Sequence, residues 1–278
     1  MTSAKMLFIG GGKMGSALVR GILGHAKPIA KPSDICVIEP YPPEGGLQLP
    51  AGVVCLLSAD KIAVDFHPDL ILIAVKPQQM AAVLPVYARF TKSLFVSIAA
   101  GMTLGNLEGF LGGADYAVVR VMPNLPASIG IGASVGVANK NVSAAQRDLC
   151  HRLLESVGTM DWIEDESLMD VVTAISGSGP AYVADLCAVL EELAKENGLP
   201  ADLAKRLARQ TVIGTARFMD ESGIDAHELR RAVASPGGTT EAALEVLLDP
   251  ETGAKPVMSR AIRAAIARGQ KLAKPRQG

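Results

Sequence analysis

The feature that most restricts the fold of this 278-residue chain is a glycine pattern near its start, in the sequence FIGGGKMGSALVRGIL. Gly10, Gly12 and Gly15 have the spacing GxGxxG and stand between a predicted strand, KMLFIG, and a predicted helix over residues 14–25. Such glycines allow a tight turn, close approach of the backbone to a pyrophosphate, and close packing of helix on strand. The pattern predicts the first βαβ unit of a dinucleotide-binding domain; the alternative is a purely structural glycine turn.

The first half of the chain alternates short β-branched runs with helical stretches. The later predicted strands are DICVIE, GVVCLL, DLILIAV, SLFVSIA, YAVVRVM and ASVGVA, followed by a helix from about residue 143. This alternation is typical of an α/β fold with a parallel, doubly wound sheet. Apolar residues make up 49% of the chain but aromatic residues only 4%, which favours an α/β or all-α core over a β-sandwich.

The sequence pattern changes after Glu166, beyond which strand-like runs no longer occur. Segments rich in Ala, Leu and Glu predict helices over residues 167–197, 201–221, 226–234, 238–248 and 255–273. A chain of this length favours two domains. We therefore expect a Rossmann-type domain over residues 1–165 and an all-helical domain over 166–278, whose broadly apolar helices indicate deep burial or a subunit interface.

Charge and composition exclude several classes of function. The formal net charge is −1, so the chain has no excess of positive charge with which to bind a nucleic acid. The four cysteines are scattered and the four histidines lack helical ligand spacing, which predicts reduced thiols and no metal site. The sequence contains neither a long uncharged apolar run nor a signal-peptide pattern. We expect a cytoplasmic protein without a membrane partner.

The cofactor contacts predicted in the glycine loop are Gly10, Gly12, Lys13, Met14 and Gly15. Because the carboxyl ends of the strands in such a sheet face the cofactor crevice, residues just after other strands are candidates too. These are Val75, Lys76 and Pro77 after the fourth strand, Ala99 and Ala100 after the fifth, and Asn124 after the sixth. Each stretch alone is compatible with an ordinary turn, but together they converge on one place.

Glu39 ends the second predicted strand, where an acidic side chain can accept hydrogen bonds from a ribose 2′-hydroxyl. A carboxylate there should repel a 2′-phosphate, so of the two cofactors, NADPH or NADH, Glu39 favours NADH. The alternative is a solvated charge at a strand end, because the following prolines could turn Glu39 away.

Two further segments allow either a structural or a functional interpretation. SPGGTTEAAL, residues 235–244, leads into a predicted helix, so it fits either a helix cap or a seat for an anion on free backbone N–H groups. SGSGPAY, residues 176–182, interrupts a helical stretch and by itself indicates a kink.

These stretches together resemble the pyrroline-5-carboxylate reductase family. The matching motifs occur in the family's order over nearly the whole chain: IGGGKMGSAL, AVKPQ, SIAAGMT, VRVMPNLP, VTAISGSGPAYV, LARQTVIGTA and LRRAVASPGGTTEAAL. The resemblance implies an oxidoreductase that transfers hydride from NAD(P)H to the C=N bond of 1-pyrroline-5-carboxylate, giving L-proline in the last step of proline biosynthesis. It also implies a helical dimerisation domain and an interlocked homodimer or a ring of dimers.

The resemblance implies roles for particular residues as well. Residues 235–240 would hold the substrate carboxylate through backbone N–H groups near Gly238 and Thr239, helped by Ser235, and the hydroxyl of Thr240, the predicted catalytic residue, would reach the ring nitrogen. Ser178 of SGSGPAY would line the substrate pocket. Since residues 235–240 contain no Lys, His or carboxylate, we expect catalysis by positioning and desolvation.

The chain departs from the family's usual pattern at three positions: Lys13 stands where Asn is usual, Leu125 where Thr is usual, and Glu39 where small or basic residues are common. Two alternatives stay open. A hydroxyacid dehydrogenase of similar architecture should offer a lysine in its helical half, and SGSGPAYV and SPGGTTEAAL contain none. A non-catalytic dinucleotide-binding dimer would have no reason for SPGGTT.

Overall fold

The computed structural model describes residues 3–273. Its strands are β1 (Met6–Ile9), β2 (Ile35–Ile38), β3 (Val54–Leu56), β4 (Leu70–Ile73), β5 (Leu94–Ser97), β6 (Ala117–Met122), β7 (Gly132–Ala138) and β8 (Gly158–Trp162). Its helices are α1 (Lys13–Gly24), α2 (Met80–Val83), α3 (Leu104–Leu111), α4 (Ala144–Glu155), α5 (Met169–Val172), α6 (Gly179–Glu196), α7 (Ala201–Ser222), α8 (Ala226–Ala232), α9 (Thr239–Leu247) and α10 (Ala254–Ala273). The described residues divide into two compact units, 3–177 with 266–273, and 178–265.

All eight strands form one sheet, in the order β3-β2-β1-β4-β5-β6-β7-β8. The strands from β1 to β6 are parallel where they pair, which confirms the Rossmann-type arrangement. The expectation of a fully parallel sheet is wrong at one place, because β7 runs antiparallel to β6. Residues 123–131 are too few for a crossover, which needs about a dozen residues or more, so the chain turns back instead.

The central strands are buried on both faces because helices cover each side of the sheet. One apolar layer includes Met6, Phe8 and Leu72, and the other includes Leu7 and Ile73, so neighbouring residues of one strand point into different cores. The continuous apolar runs in the sequence are explained by this double burial.

Two segments of the first unit have short elements. The stretch from Pro77 to Tyr87 forms the single turn α2 between two 3₁₀ turns, each of which carries a proline in its first turn. The segment TMDWIED, which is not among the predicted strands, contains most of β8 at the edge of the sheet, beside β7.

The predicted helix over residues 167–197 is interrupted. A π-helical turn covers Thr173–Gly177, and α6 begins at Gly179 with Pro180 in its first turn. At Gly177 the turn passes the end of β6, where the terminal methyl group of Met122 lies against the glycine.

From α6 onward the described residues contain helices and no strand, which confirms the helical second half. No helix within residues 3–273 combines the length and the apolar character needed to cross a bilayer. In the same residues, no group of three or more His, Cys, Asp or Glu side chains is placed to hold a metal ion.

Candidate active site

The three glycines of the first loop have three different structural roles. Gly10 has φ +101°, and a methyl group there would lie 2.9 Å from the Ala74 carbonyl oxygen. A methyl group on Gly15 would lie 2.4 Å from the Gly10 oxygen, so Gly15 lets α1 pack against the loop. Gly12, the N-cap of α1, would direct a methyl group into open space, with nothing within 4 Å. Two of these glycines are therefore needed by the fold, whereas Gly12 leaves room for a ligand.

The carboxylate of Glu39 lies against the glycine loop. One oxygen accepts the backbone N–H of Gly11 at 2.9 Å, and the other accepts the N–H of Tyr41 at 3.2 Å. The prolines that follow Glu39 thus do not turn its side chain away from the loop. The charge stands at the end of β2, next to the amino end of α1.

A cavity of about 570 Å³ adjoins this loop. We call it the glycine-loop cavity; its lining includes Gly10, Gly12, Glu39, Tyr41, Lys76, Val86 and Tyr87. Burial raises the pKa of Tyr87 to about 12, so its phenol is neutral at physiological pH. Among residues 3–273, Glu39 and Lys76 are the charged groups of the lining, and no arginine contributes to it.

A second cavity, of about 370 Å³, lies where β4, β5 and β6 end. We call it the strand-end cavity; it is lined by Met14, Ala74, Val75, Lys76, Pro77, Ile98, Ala99, Pro123, Asn124, Leu125 and Gly177. Ala74, Val75 and Lys76 line both cavities, which are therefore neighbours in the first unit. The lining is small and mostly apolar, so a flat ring could approach the ends of the strands.

The structure brings most of the predicted cofactor residues to these two cavities. Gly10, Gly12, Glu39, Val75, Lys76, Met14, Pro77, Ala99 and Asn124 line one or both. Lys13 and Ala100 are exposed and line neither, and Gly15 is buried beneath the loop. Asn124 accepts the N–H of Ala133 at 2.9 Å through Oδ1, which ties the end of β6 to the start of β7.

A buried ion pair between β6 and the segment before α5 was not predicted from the sequence. Arg120 of β6 is buried, and its guanidinium contacts Glu166 at 3.0 Å. The same Glu166 oxygen accepts the N–H of Leu104 at 2.8 Å, at the start of α3. The contact with Leu104 anchors the end of the β5–α3 connection, which carries Ala99, and the ion pair joins the same carboxylate to β6. The sequence does contain a sign of this ion pair, because the charged Arg120 stands inside the otherwise apolar strand AVVRVM.

In the second unit, residues 235–238 form a tight turn that leads into α9. The Ser235 oxygen accepts the N–H of Gly238 at 2.9 Å, and Gly237 has φ +70°. Pro followed by a left-handed Gly at the two central positions is the pattern of a type II turn. A methyl group on Gly238 would lie 2.9 Å from the Ser235 oxygen, so this position needs glycine as well.

The start of α9 has no side-chain cap. Its N-cap is Gly238, and neither threonine hydroxyl makes a capping hydrogen bond. Within the described chain, the N–H groups of Thr239, Thr240 and Glu241 have no hydrogen-bond partner, whereas the N–H of Gly238 is used by the turn. The start of α9 therefore has free backbone donors, and no threonine side chain caps the helix.

A carboxylate contacts this loop from just beyond it. The side chain of Glu241 folds back and accepts the N–H of Gly237 at 2.6 Å. Glu241 is one residue beyond the stretch 235–240, and the helical turn returns its side chain to the loop.

Ser178 occupies the N-cap position of α6 without a side-chain capping bond. Its carbonyl accepts the N–H of Ala181 at 2.9 Å. The SGSGPAY segment therefore contains both a π-helical turn and a helix start, and its Gly177 lines the strand-end cavity.

Comparison with known proteins identifies both halves of the chain. Residues 166–272 match the family model described as pyrroline-5-carboxylate reductase dimerisation. Residues 5–101 match the model described as NADP oxidoreductase, coenzyme F420-dependent.

Full-length relatives match over nearly the whole chain. A pyrroline-5-carboxylate reductase of Pseudomonas aeruginosa is 37% identical over 275 residues, which are 98% of each protein. The structure of a pyrroline-5-carboxylate reductase from Coxiella burnetii superposes with a TM-score of 0.88 at 33% identity, covering 99% of this chain and 100% of the other. That of the Plasmodium falciparum pyrroline carboxylate reductase with NADP bound gives 0.81 at 31% identity, with coverage of 99% and 100%. On its fold, its loops and these relatives, the chain belongs to the pyrroline-5-carboxylate reductase family.

Proposed function

We propose that this protein reduces 1-pyrroline-5-carboxylate to L-proline with a dihydronicotinamide cofactor. The observation that carries the proposal is the turn at residues 235–238. It is followed by free backbone N–H groups at the positive end of a helix, among them those of Thr239 and Thr240, with a hydroxyl beside them. This arrangement suits a small imino acid, which presents a carboxylate and a ring nitrogen close together.

The first unit fits a dinucleotide. The open space at Gly12 would admit a pyrophosphate, and the first-turn N–H groups of α1 would donate to it, because only the N–H of Ser16 reaches back to Gly12. The strand-end cavity would take the nicotinamide, against Ala99 and Asn124. When bound, the dihydronicotinamide supplies the hydride for the imine carbon.

We propose further that Glu39 makes NADH the better cofactor. Its carboxylate is already fixed by two backbone N–H groups, and the described residues that line the glycine-loop cavity include no arginine for a 2′-phosphate. A ribose 2′-hydroxyl could donate to this carboxylate, whereas a phosphate would be repelled.

In the second unit, Thr239 and Thr240 would bind the substrate carboxylate through their N–H groups, and the Thr240 hydroxyl would orient the ring nitrogen. Gly238 and Ser235 contribute by forming the turn, since the Gly238 N–H is bonded within it. Ser178 would line the same pocket. A threonine hydroxyl is too weak an acid to protonate the nitrogen freely, so it would hold a protonated imine or relay a proton from water.

We also propose that residues 166–278 form the substrate and dimerisation domain, in a homodimer or a ring of dimers. Many large apolar side chains of α6 and α7 are exposed in the single chain, among them Leu186, Leu190, Leu193, Ile213 and Phe218. Exposed apolar surface on that scale is typical of a subunit interface. The four free cysteines fit a cytoplasmic location.

The test is a steady-state assay of the purified protein with pyrroline-5-carboxylate and either cofactor, with a series of 2-hydroxy acids and oxidised cofactor measured in parallel. We expect turnover with the imino acid, a higher kcat/KM with NADH, and none with the hydroxy acids. Turnover of a hydroxy acid alone would indicate the dehydrogenase alternative. Cofactor binding without any turnover would indicate a non-catalytic dinucleotide-binding dimer.

A further inference from the structure

The turn at residues 235–238 displays its amide groups in a specific order. The N–H of Gly238 closes the turn on Ser235, and the N–H of Gly237 is held by the Glu241 carboxylate at 2.6 Å. The next three N–H groups, of Thr239, Thr240 and Glu241, have no hydrogen-bond partner in the described chain, and the first backbone bond of α9 is that of Ala242 to Gly238. The internal bonds therefore leave a run of free donors at the helix start, beginning with Thr239 and Thr240.

Glu241 can hold the turn at residues 235–238 because it stands in the first turn of α9. A glutamate at this position can reach back to the backbone ahead of the helix, as in a capping box. Here the reciprocal half of the box is missing, since Gly238 has no side chain to cap the helix. The hydrogen bond from the Gly237 N–H to the Glu241 carboxylate thus connects the turn to the helix through a side chain.

The hydrogen bond to Glu241 matters because Gly237 has an unusually flexible backbone. With φ +70°, Gly237 occupies the left-handed region, and glycine is the residue that loses the most conformational freedom on folding. Without the carboxylate, the peptide between Pro236 and Gly237 would be held by the single bond between Ser235 and Gly238. A loop that must order itself when substrate binds weakens that binding.

We propose that Glu241 is a positioning residue for substrate binding: it fixes the turn so that the N–H groups of Thr239 and Thr240 meet the imino acid carboxylate together. The inference rests on the proposed function. It assigns Glu241 a hydrogen-bonding role through Gly237 and no direct contact with the substrate.

The experiment compares Glu241→Ala, which removes the acceptor, with Glu241→Gln, which keeps an acceptor oxygen but removes the charge. Glu245→Ala, one turn further along α9 and exposed, is the matched control. A hydrogen bond to a charged group corresponds to about ten- to a hundredfold in an equilibrium. We expect Glu241→Ala to raise KM for pyrroline-5-carboxylate by about that factor, with a smaller change in kcat and an unchanged KM for NADH.

Glu241→Gln should restore KM to within about threefold of the unaltered protein, because an amide oxygen accepts the same N–H, only less strongly. A purely structural role would instead lower the melting temperature and the active fraction without changing KM. The proposal is overturned if Glu241→Ala keeps its KM, or if Glu241→Gln is as impaired as Glu241→Ala, which would show that the charge acts on the substrate.

Hydrogen exchange at the Gly237 amide separates this inference from the proposed function. In the protein without substrate, exchange should be faster in Glu241→Ala than in the unaltered protein and in Glu241→Gln. Equal exchange rates in all three would refute the hydrogen bond between Gly237 and Glu241 even if the enzyme is active. If the unaltered protein fails to reduce pyrroline-5-carboxylate, the proposed function fails, and the exchange result still decides whether Glu241 holds the turn.

Discussion

Replacing Gly12 by valine should abolish cofactor binding while leaving the fold intact. The position has φ −60° and ψ −172°, which valine adopts without strain, and an added Cβ meets nothing within 4 Å. The side chain would occupy the space reserved for the pyrophosphate beside the amino end of α1. Since valine is a poorer N-cap than glycine, we expect a loss of about 1 kcal/mol in the free energy of unfolding.

The expected loss in affinity follows from the contacts that the valine would displace. If two N–H groups of the first turn of α1 donate to phosphate oxygens, each bond to a charged group contributes about 1.5–3 kcal/mol. Losing both would weaken binding by about 3–6 kcal/mol, or roughly 10²- to 10⁴-fold in Kd.

Isothermal calorimetry of NADH binding, with thermal unfolding followed by circular dichroism, measures both quantities. Gly24→Val is the matched control, because Gly24 ends α1 and also has open space around its Cβ. Unlike Gly12→Val, Gly15→Ala should lower the melting temperature strongly, since its methyl group would clash with the Gly10 carbonyl oxygen. A folded Gly12→Val protein that binds NADH within about threefold of the unaltered protein would refute the assignment of this loop.

Three further changes test other parts of the account. Thr240→Val should lower kcat/KM for pyrroline-5-carboxylate by about ten- to a hundredfold at unchanged cofactor affinity. Thr239→Val, which keeps its N–H, should change kcat/KM little. A Thr240→Val protein that is less stable but fully active would mean that the loop is a helix cap. Glu39→Ser should shift the ratio of kcat/KM values toward NADPH, and a clear NADPH preference of the unaltered protein would contradict the role of Glu39. Glu166→Ala should lower the free energy of unfolding by about 3 kcal/mol, measured in urea, because it leaves the buried Arg120 charge unpaired; an unchanged midpoint would contradict this.

The sheet was largely predictable because its strands are short, β-branched and continuously apolar. The reversal of β7 was predictable from the length of its connection, because the nine residues 123–131 are too few for a crossover between parallel strands, whereas strand composition alone does not give the direction. β8 was missed because Asp161 interrupts an otherwise weak apolar run at an edge of the sheet, where polar residues are tolerated.

The candidate site was predictable where a motif requires glycine for a physical reason, as at Gly10, Gly15 and Gly238. The contacts of long side chains were not. Glu241 lies within SPGGTTEAAL, but its contact with Gly237 depends on the helix beginning at Thr239, which the motif alone does not show. Boundaries of that kind are set by turn geometry more than by periodicity.

The most direct test of the central claim follows the hydride itself. The unaltered protein is incubated with pyrroline-5-carboxylate and NADH that carries deuterium at both C4 positions, and the product is analysed by mass spectrometry and NMR. The account predicts L-proline with one deuterium on the ring carbon that formed the C=N bond. Unlabelled proline, or oxidation of the cofactor without proline, would contradict direct hydride transfer to the imine.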